Sequence, residues 1–250
     1  MTSQTMAPAE AKQRTTHGVR PASDERTSPL QLYRVALLLL AAAAVAIALA
    51  DIPVLGWVRR GMFRGDIAKL IQLSEVFAHG IGVLFLLLSV WVLDPARRRG
   101  LPRLIACSLG AGMAANVIKL VSGRMRPRDH EFASVWETFQ GFGGIFAGDL
   151  RSAFDSTFQS FPSAHVATST GLAIGLSYFY PRGRWLFAGV AVLTALQRMQ
   201  VGAHFLSDTF AGAAVACVIA ALCCDPHRWG RWFDRWEVPL SIRCESEQWR

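Results

Sequence analysis

The sequence predicts an all-α membrane protein: a six-transmembrane-helix bundle with an interfacial amphipathic helix and an outer-face loop or lid between spans three and four. Three observations predict it. Of 250 residues, 52% are hydrophobic and the mean hydropathy is +0.30, more apolar material than a soluble domain of this length usually needs. The apolar residues gather into six runs, at 32–50 and about 75–93, 103–122, 163–180, 185–201 and 205–224. Arginines gather mainly between the runs, which is the pattern that membrane topology produces.

Residues 1–30 are rich in Thr, Ser, Ala, Pro and charge, and are expected to form a disordered cytoplasmic tail, since they cannot bury enough surface to offset ordering entropy. The first run, Leu32 to Ala50, is long enough to cross a hydrocarbon core of roughly 30 Å. It ends in Ala48-Leu49-Ala50, which mimics a signal-peptidase site. The long leader and long apolar run favour retention. Residues 51–73 interleave Ile52, Leu55, Trp57, Ile67 and Leu70 with Arg59, Arg60, Arg64 and Lys69, an amphipathic pattern suited to lying at the interface. Breakers part the later runs at Asp94-Pro95, Pro127, Pro162, Pro181, Gly202 and Asp225-Pro226. The bundle is thus expected over 31–225, followed by an amphipathic cytoplasmic tail over 226–250.

With six spans, Arg20, Arg26 and Arg34, then Arg97, Arg98, Arg99 and Arg103, then Arg182 and Arg184, then Arg228, Arg231 and Arg235 all fall on one side. The positive-inside rule makes that side cytoplasmic, with both termini on it. The basic residues of 51–73 fall on the other side, where an interfacial helix tolerates them. Trp229, Trp232 and Trp236 recur at helical spacing beside the last arginines and read as an anchor at the inner headgroups, with a binding stripe as the alternative. The net charge of +8 invites a nucleic-acid reading, but no basic helix or aromatic-basic platform accompanies it. Five cysteines (Cys107, Cys217, Cys223, Cys224 and Cys244) show neither a disulfide framework nor zinc spacing, and read as small apolar side chains.

The outer side carries the chemistry. Lys119 lies in the last turns of span three, where an uncompensated lysine at mid-bilayer would cost roughly 2.5–3.5 kcal/mol; alone, it would read as a snorkelling side chain. Arg126 follows nearly two helical turns later, so both cations are expected on one helix face. Phe161-Pro162-Ser163-Ala164-His165 opens span four, with Pro162 expected in the first helical turn, where free N–H groups form an anion site. Arg198, His204 and Asp208 flank Gly202, and the four-residue spacing of His204 and Asp208 lets the carboxylate fix the imidazole's tautomer. Three cations, a hydroxyl and a helix N-terminus make a cradle for a tetrahedral dianion, and two histidines offer a nucleophile and a proton donor.

Lys119 with Arg126-Pro127, then Pro162-Ser163-Ala164-His165, then Arg198 with His204 and Asp208 resemble the three-part signature of the type 2 phosphatidic acid phosphatase (PAP2) and vanadium haloperoxidase superfamily. The resemblance covers roughly residues 70–225. It implies that His204 attacks phosphorus and forms a phosphohistidine, that Asp208 holds its other ring nitrogen, and that His165 protonates the leaving oxygen and then activates water. It implies too that Lys119, Arg126, Arg198 and Ser163 bind the phosphoryl oxygens. No cofactor or divalent metal is expected, since the cations neutralise the developing charge. Two positions depart from the pattern. Ala164 stands where the family usually has glycine, which matters only if that position needs positive φ. Gln197 stands where a serine usually precedes the arginine, which puts one hydrogen bond in doubt.

The connection 128–161 sets Asp129, His130, Glu131, Glu137, Asp149 and Asp155 among Phe132, Trp136, Phe139, Phe142, Phe146, Phe154 and Phe158. A lid touching lipid and a folded loop that merely covers the site are both open readings; His130 reads as a surface histidine. The expected activity is removal of a terminal phosphate or pyrophosphate from a membrane lipid, with the bilayer as partner and no nucleic acid. A bacterial inner membrane, with the site facing outward, is the expected location. Lipid-to-lipid phosphate transfer uses the same intermediate, and a transporter whose buried charges line an ion path is the non-catalytic alternative. A vanadate-dependent peroxidase suits a six-span core less well.

Overall fold

The computed structural model describes residues 28–61, 63–139 and 155–237. Among these, all regular structure is helical and only isolated bridges interrupt it. Helix α1 (Pro29–Leu49) starts at a capping box: the Ser28 hydroxyl accepts from the Gln31 N–H, the Gln31 side chain accepts from the Ser28 N–H, and Pro29 takes the first helical position. Its buried side is a stripe of small residues, Ala36, Ala43 and Ala46, while Leu37, Leu38, Val45 and Leu49 face outward. Small residues let two backbones approach closely where lipid removes the usual hydrophobic drive. Accordingly α1 lies along α9 (Leu206–Cys224), with Ala36 against Ala214 and Cys217.

Helix α7 (Ala164–Phe179) is the central element. Leu172 and Leu176 pack with Val83 and Leu87 of α4 (Gly80–Leu93) and Leu104 of α5 (Leu101–Ile105). Ala164 and Ala167 pack with Ala111 and Ala115 of α6 (Ala111–Ser122) and with Ala216 of α9. A π turn at Ala106–Gly110 joins α5 to α6, and its Cys107 carbonyl sits so close to α7 that a Cβ on Gly171 would lie 1.9 Å from it. Likewise a Cβ on Gly212 of α9 would meet the Ser163 carbonyl at 2.4 Å, so this glycine sets how near α9 comes to the start of α7. Helix α8 (Arg184–Gln200) flanks α7 on its other side.

Three helices are long and apolar enough to cross a membrane singly: α1, the continuous rod Pro95–Ser122 that contains α5 and α6, and α9. The stretches Gly65–Phe77 and Gly80–Leu93 qualify together but are bent by 71°, giving a fourth at most. The six expected runs therefore all appear as helices, yet α7 and α8 have 16 and 17 residues and α4 only 14, below the ~20 that a span usually takes. The expected single interfacial helix over 51–73 is two short ones, α2 (Asp51–Arg59) and α3 (Gly65–Leu73), because Gly61 and Gly65 adopt positive φ and turn the chain between them. Of the expected N-terminal tail, 1–27 lies outside the described residues. So does 238–250 of the C-terminal tail, whose described part forms α10 (Gly230–Glu237). Helix α10 buries Phe233 and leaves Trp232 and Trp236 outward, and Arg103 of α5 pairs with its Asp234 and Glu237.

Of the connection expected as a lid, 140–154 lies outside the described residues. Its two ends are fastened to one short segment. The Met125 N–H donates to the Thr138 carbonyl (2.8 Å), the Arg126 N–H to the Thr157 carbonyl (2.9 Å), and the Ser160 N–H to the Arg124 carbonyl (3.0 Å). Arg59 of α2 adds a clamp, donating through Nη2 to the carbonyls of Pro127 (2.7 Å) and His130 (2.5 Å).

Candidate active site

Helix α9 opens at Leu206, and this start brings His204 and Asp208 together in a fully buried corner. The His204 Nδ1 lies 2.7 Å from the Ser160 carbonyl oxygen and 3.6 Å from Asp208 Oδ2. Both neighbours only accept, so Nδ1 carries the proton and Nε2 keeps its lone pair. The four-residue spacing thus does bring the carboxylate to the imidazole, but the shortest bond to the ring comes from a backbone carbonyl that the sequence did not suggest. His204 stands on the link between α8 and α9. Burial pushes its imidazole down to about 4; the nearby Asp208 carboxylate opposes this, and the Lys119 and Arg198 charges add to it.

Asp208 is itself held from four sides. It accepts from Arg124 Nη1 (2.5 Å), Ser160 Oγ (2.6 Å) and the Phe205 N–H (2.8 Å), with the His204 ring as the fourth neighbour. The carboxylate that caps the Phe205 N–H at the head of α9 is thus the same one that faces the histidine. Arg124 continues to Asp51 through Nη2 (2.7 Å), and Ser207 closes the group by donating its N–H and hydroxyl to Asp51 (3.0 and 2.6 Å).

Lys119 and Arg198 are the cations within electrostatic range of His204. Lys119, buried near the end of α6, is within electrostatic range of Arg126, Arg198 and Asp208. His165, in the first turn of α7, is within range of Arg198, His204, Lys119 and His79. Arg198 donates through Nη1 to Glu75 Oε1 (2.9 Å) and to Gln197 Oε1 (3.2 Å), while its buried Nε has no hydrogen-bond partner. Ser163 is fully buried, accepts from the Val166 N–H as the N-cap of α7, and keeps its own hydroxyl proton to donate. Its backbone N–H donates to the Asp208 carbonyl (3.0 Å), locking α7 to α9 at the site.

The geometry corrects three local expectations. Lys119 and Arg126 do not share a helix face: α6 ends at Ser122, Gly123 turns left-handed at φ 55°, and Arg126 sits in extended backbone beyond it. Pro162 precedes the Ser163 cap and so lies outside the first helical turn. Gln197 does not simply lose a hydrogen bond, since its Nε2 donates to Glu75 Oε2 (3.2 Å) and its oxygen accepts from Arg198. Ala164 is helical and strain-free, as no non-glycine residue among those described has positive φ. Sequence reasoning missed Asp51, Arg124, Ser160, Ser207, Glu75 and His79. Two signals were available, Asp51 at the end of the first apolar run and Arg124 just past the end of the third, both charges at the border of an apolar run.

The fold and site define a helical membrane-embedded protein with a buried histidine–carboxylate pair facing clustered cations. A sequence model of the PAP2 superfamily matches residues 101–231, and the chain belongs to that superfamily. It is 31% identical over 134 residues to proteins named lipid A 1-phosphatase in Rhizobium johnstonii and Rhizobium etli. The match covers 54% of this chain and 45% and 47% of theirs, so it spans about half the length of these curated relatives. The crystal structure of Aquifex aeolicus LpxE is similar at a TM-score of 0.49 and 16% identity, covering 68% of this chain and 92% of that one.

Proposed function

We propose that this chain is an integral-membrane phosphatase that hydrolyses a terminal phosphate or pyrophosphate of a membrane lipid through a phosphohistidine, without a metal. The observation that carries the reading is the tautomer at His204: Nδ1 is committed to the Ser160 carbonyl and Asp208, which leaves Nε2 as the attacking atom. Lys119, Arg126 and Arg198 hold the phosphoryl oxygens with the Ser163 hydroxyl, and the orphaned Arg198 Nε supplies a donor awaiting an anion. Asp208 holds the imidazole and stabilises the charge it gains on phosphorylation. His165 protonates the leaving lipid oxygen, then takes a proton from the water that cleaves the phosphorus–nitrogen bond.

The six-span topology, with both termini cytoplasmic and the site at the outer face of a bacterial inner membrane, belongs to the same proposal and rests on the arginine distribution. The relatives' names make lipid A 1-phosphate the first substrate to try, ahead of phosphatidic acid, phosphatidylglycerol phosphate and undecaprenyl pyrophosphate.

The test is phosphate release from this lipid panel by the purified chain in detergent, compared with His204→Ala. The variant is expected to lose at least about a thousandfold in kcat while still inserting and purifying as the wild type does. EDTA is expected to leave the wild-type rate within about twofold of its value, because electrostatic stabilisation comes from side chains. Release from none of the lipids, or equal release by His204→Ala, would overturn the reading.

A further inference from the structure

We propose that Asp51 and Arg124 are positioning residues that hold Asp208 ionised and aimed at His204, so that the corner between α1 and α2 is part of the catalytic apparatus. This rests on the phosphatase reading above. Asp51 lies outside the segment that matches the superfamily, and Arg124 lies between the two cations of the first motif without joining them.

The geometry is a closed group with no exposed member. Asp51, Arg124 and Asp208 have side chains with 0% exposure, and Arg124 bridges the two carboxylates at 2.7 and 2.5 Å. Two further donors are used within the same group: Nη1 also reaches Ser207 Oγ (2.7 Å) and Nε reaches Thr138 Oγ1 (3.2 Å). The guanidinium lies between the rings of Phe205 and Phe139, 4.2 and 4.7 Å from their centroids, which excludes water from it. Arg124 thus spends four of its five N–H donors inside this group, two of them on carboxylates. Were Arg124 alone opposite Asp208, the two charges would cancel and the imidazole would face a neutral pair. Asp51 supplies the second carboxylate, so two acids share one guanidinium and a net negative charge remains beside His204.

Removing either member disturbs that balance in a different direction. The other charged or titratable groups facing His204 stay in place throughout: Lys119 from α6, His165 from the start of α7 and Arg198 from α8, with Glu75 on Arg198 and Arg126 beside Lys119. Asp51→Asn leaves Arg124 and Asp208 neutral together, so the charged imidazole is less favoured. Arg124→Gln leaves two acids together, so the charged imidazole is more favoured. The double variant restores the single net negative charge.

The experiment is the pH dependence of kcat/KM for phosphate release from one lipid phosphate by the full chain in detergent. It compares wild type, Asp51→Asn, Arg124→Gln and the double variant, so that the lipid's own ionisation cancels. Asp51→Asn is expected to move the acid limb down and Arg124→Gln up, each by about one pH unit. The double variant is expected nearer wild type than either single one. Asp51→Asn is also expected to lower kcat about tenfold with KM within about twofold, since it removes charge from the reaction and none from the phosphate cradle. A merely structural group would reduce the active fraction and leave every limb where it was; unmoved limbs, or limbs moving in the same direction, overturn the proposal. If Arg124→Gln does not purify as a monodisperse protein, the Asp51→Asn profile alone decides. Wild-type inactivity on every lipid phosphate would instead count against the phosphatase reading.

Discussion

Two buried arginines at different places in the fold are built alike and exposed differently. Arg103 pairs with Asp234 (2.5 Å) and Glu237 (2.8 Å) and lies over the rings of Tyr178 and Phe233. Arg124 pairs with Asp51 and Asp208 and lies over Phe139 and Phe205. Each guanidinium thus takes two carboxylates and two aromatic faces. The carboxylates at Arg103 are 48% and 20% exposed, while those at Arg124 are both at 0%. Where water reaches the acids it can replace a lost partner, so the Arg103 group fastens α10 and little depends on its charge balance. Where water is excluded, each charge relies on the others, and a change to one is felt by all. The same side-chain set therefore makes a fastening in one place and an electrostatic control in the other.

The largest expected contrast comes from removing one carboxylate at each group. Asp208→Asn is expected to lower kcat by about 10³–10⁴-fold, as losing the acid behind a catalytic histidine does elsewhere. Asp234→Asn is expected to leave kcat within about twofold, and equal losses in a phosphate-release assay would break the comparison. Next comes pH. Burial lowers the His204 imidazole to about 4, so the neutral form that the proposed attack requires persists well below its ordinary range. With the ionisation of the lipid and of His165 accounted for, the acid limb that His204 sets is expected near pH 4, with kcat/KM falling about tenfold per unit below it. A limb at the ordinary histidine value would show that the corner is wetter than its geometry implies.

Smaller effects sharpen the difference. Arg103→Gln is expected to leave activity per folded molecule unchanged and to cost about 1–2 kcal/mol of stability, discounted because its acids are partly exposed. In a thermal melt that is a loss of about 2–8 °C in Tm. The smallest effect is expected from Glu75→Gln. It frees Arg198 from a carboxylate that is 44% exposed and competes with phosphate for the same guanidinium, so KM should fall about two- to threefold. A rise in KM would mean that Glu75 orients Arg198 for the phosphate and does not compete with it.

The parts of this arrangement that the sequence revealed are those with short-range signatures. Lys119, His165, Arg198, His204 and Asp208 sit at or beside helix ends, at spacings that helical geometry makes meaningful. The apolar runs likewise foretold where helices would form, because their composition is set by what surrounds them. What escaped notice was tertiary. Asp51 and Asp208 are 157 positions apart and meet only because α1 lies along α9 on its alanine stripe. Glu75 reaches Arg198 only because the chain bends between α3 and α4. The error about Lys119 and Arg126 came from extending a helical period through Gly123, whose left-handed turn ends it. Short spacing predicts partners only while the element persists.

Segment 124–126 receives the returning chain at both borders of the long connection, through the Thr138, Thr157 and Ser160 backbone bonds. The anchoring sites of that connection are therefore separate from whatever lies between Phe139 and Asp155. The last of these bonds ties the joint to Ser160, whose carbonyl and hydroxyl hold His204 and Asp208, so both borders of the connection are fixed to the buried corner.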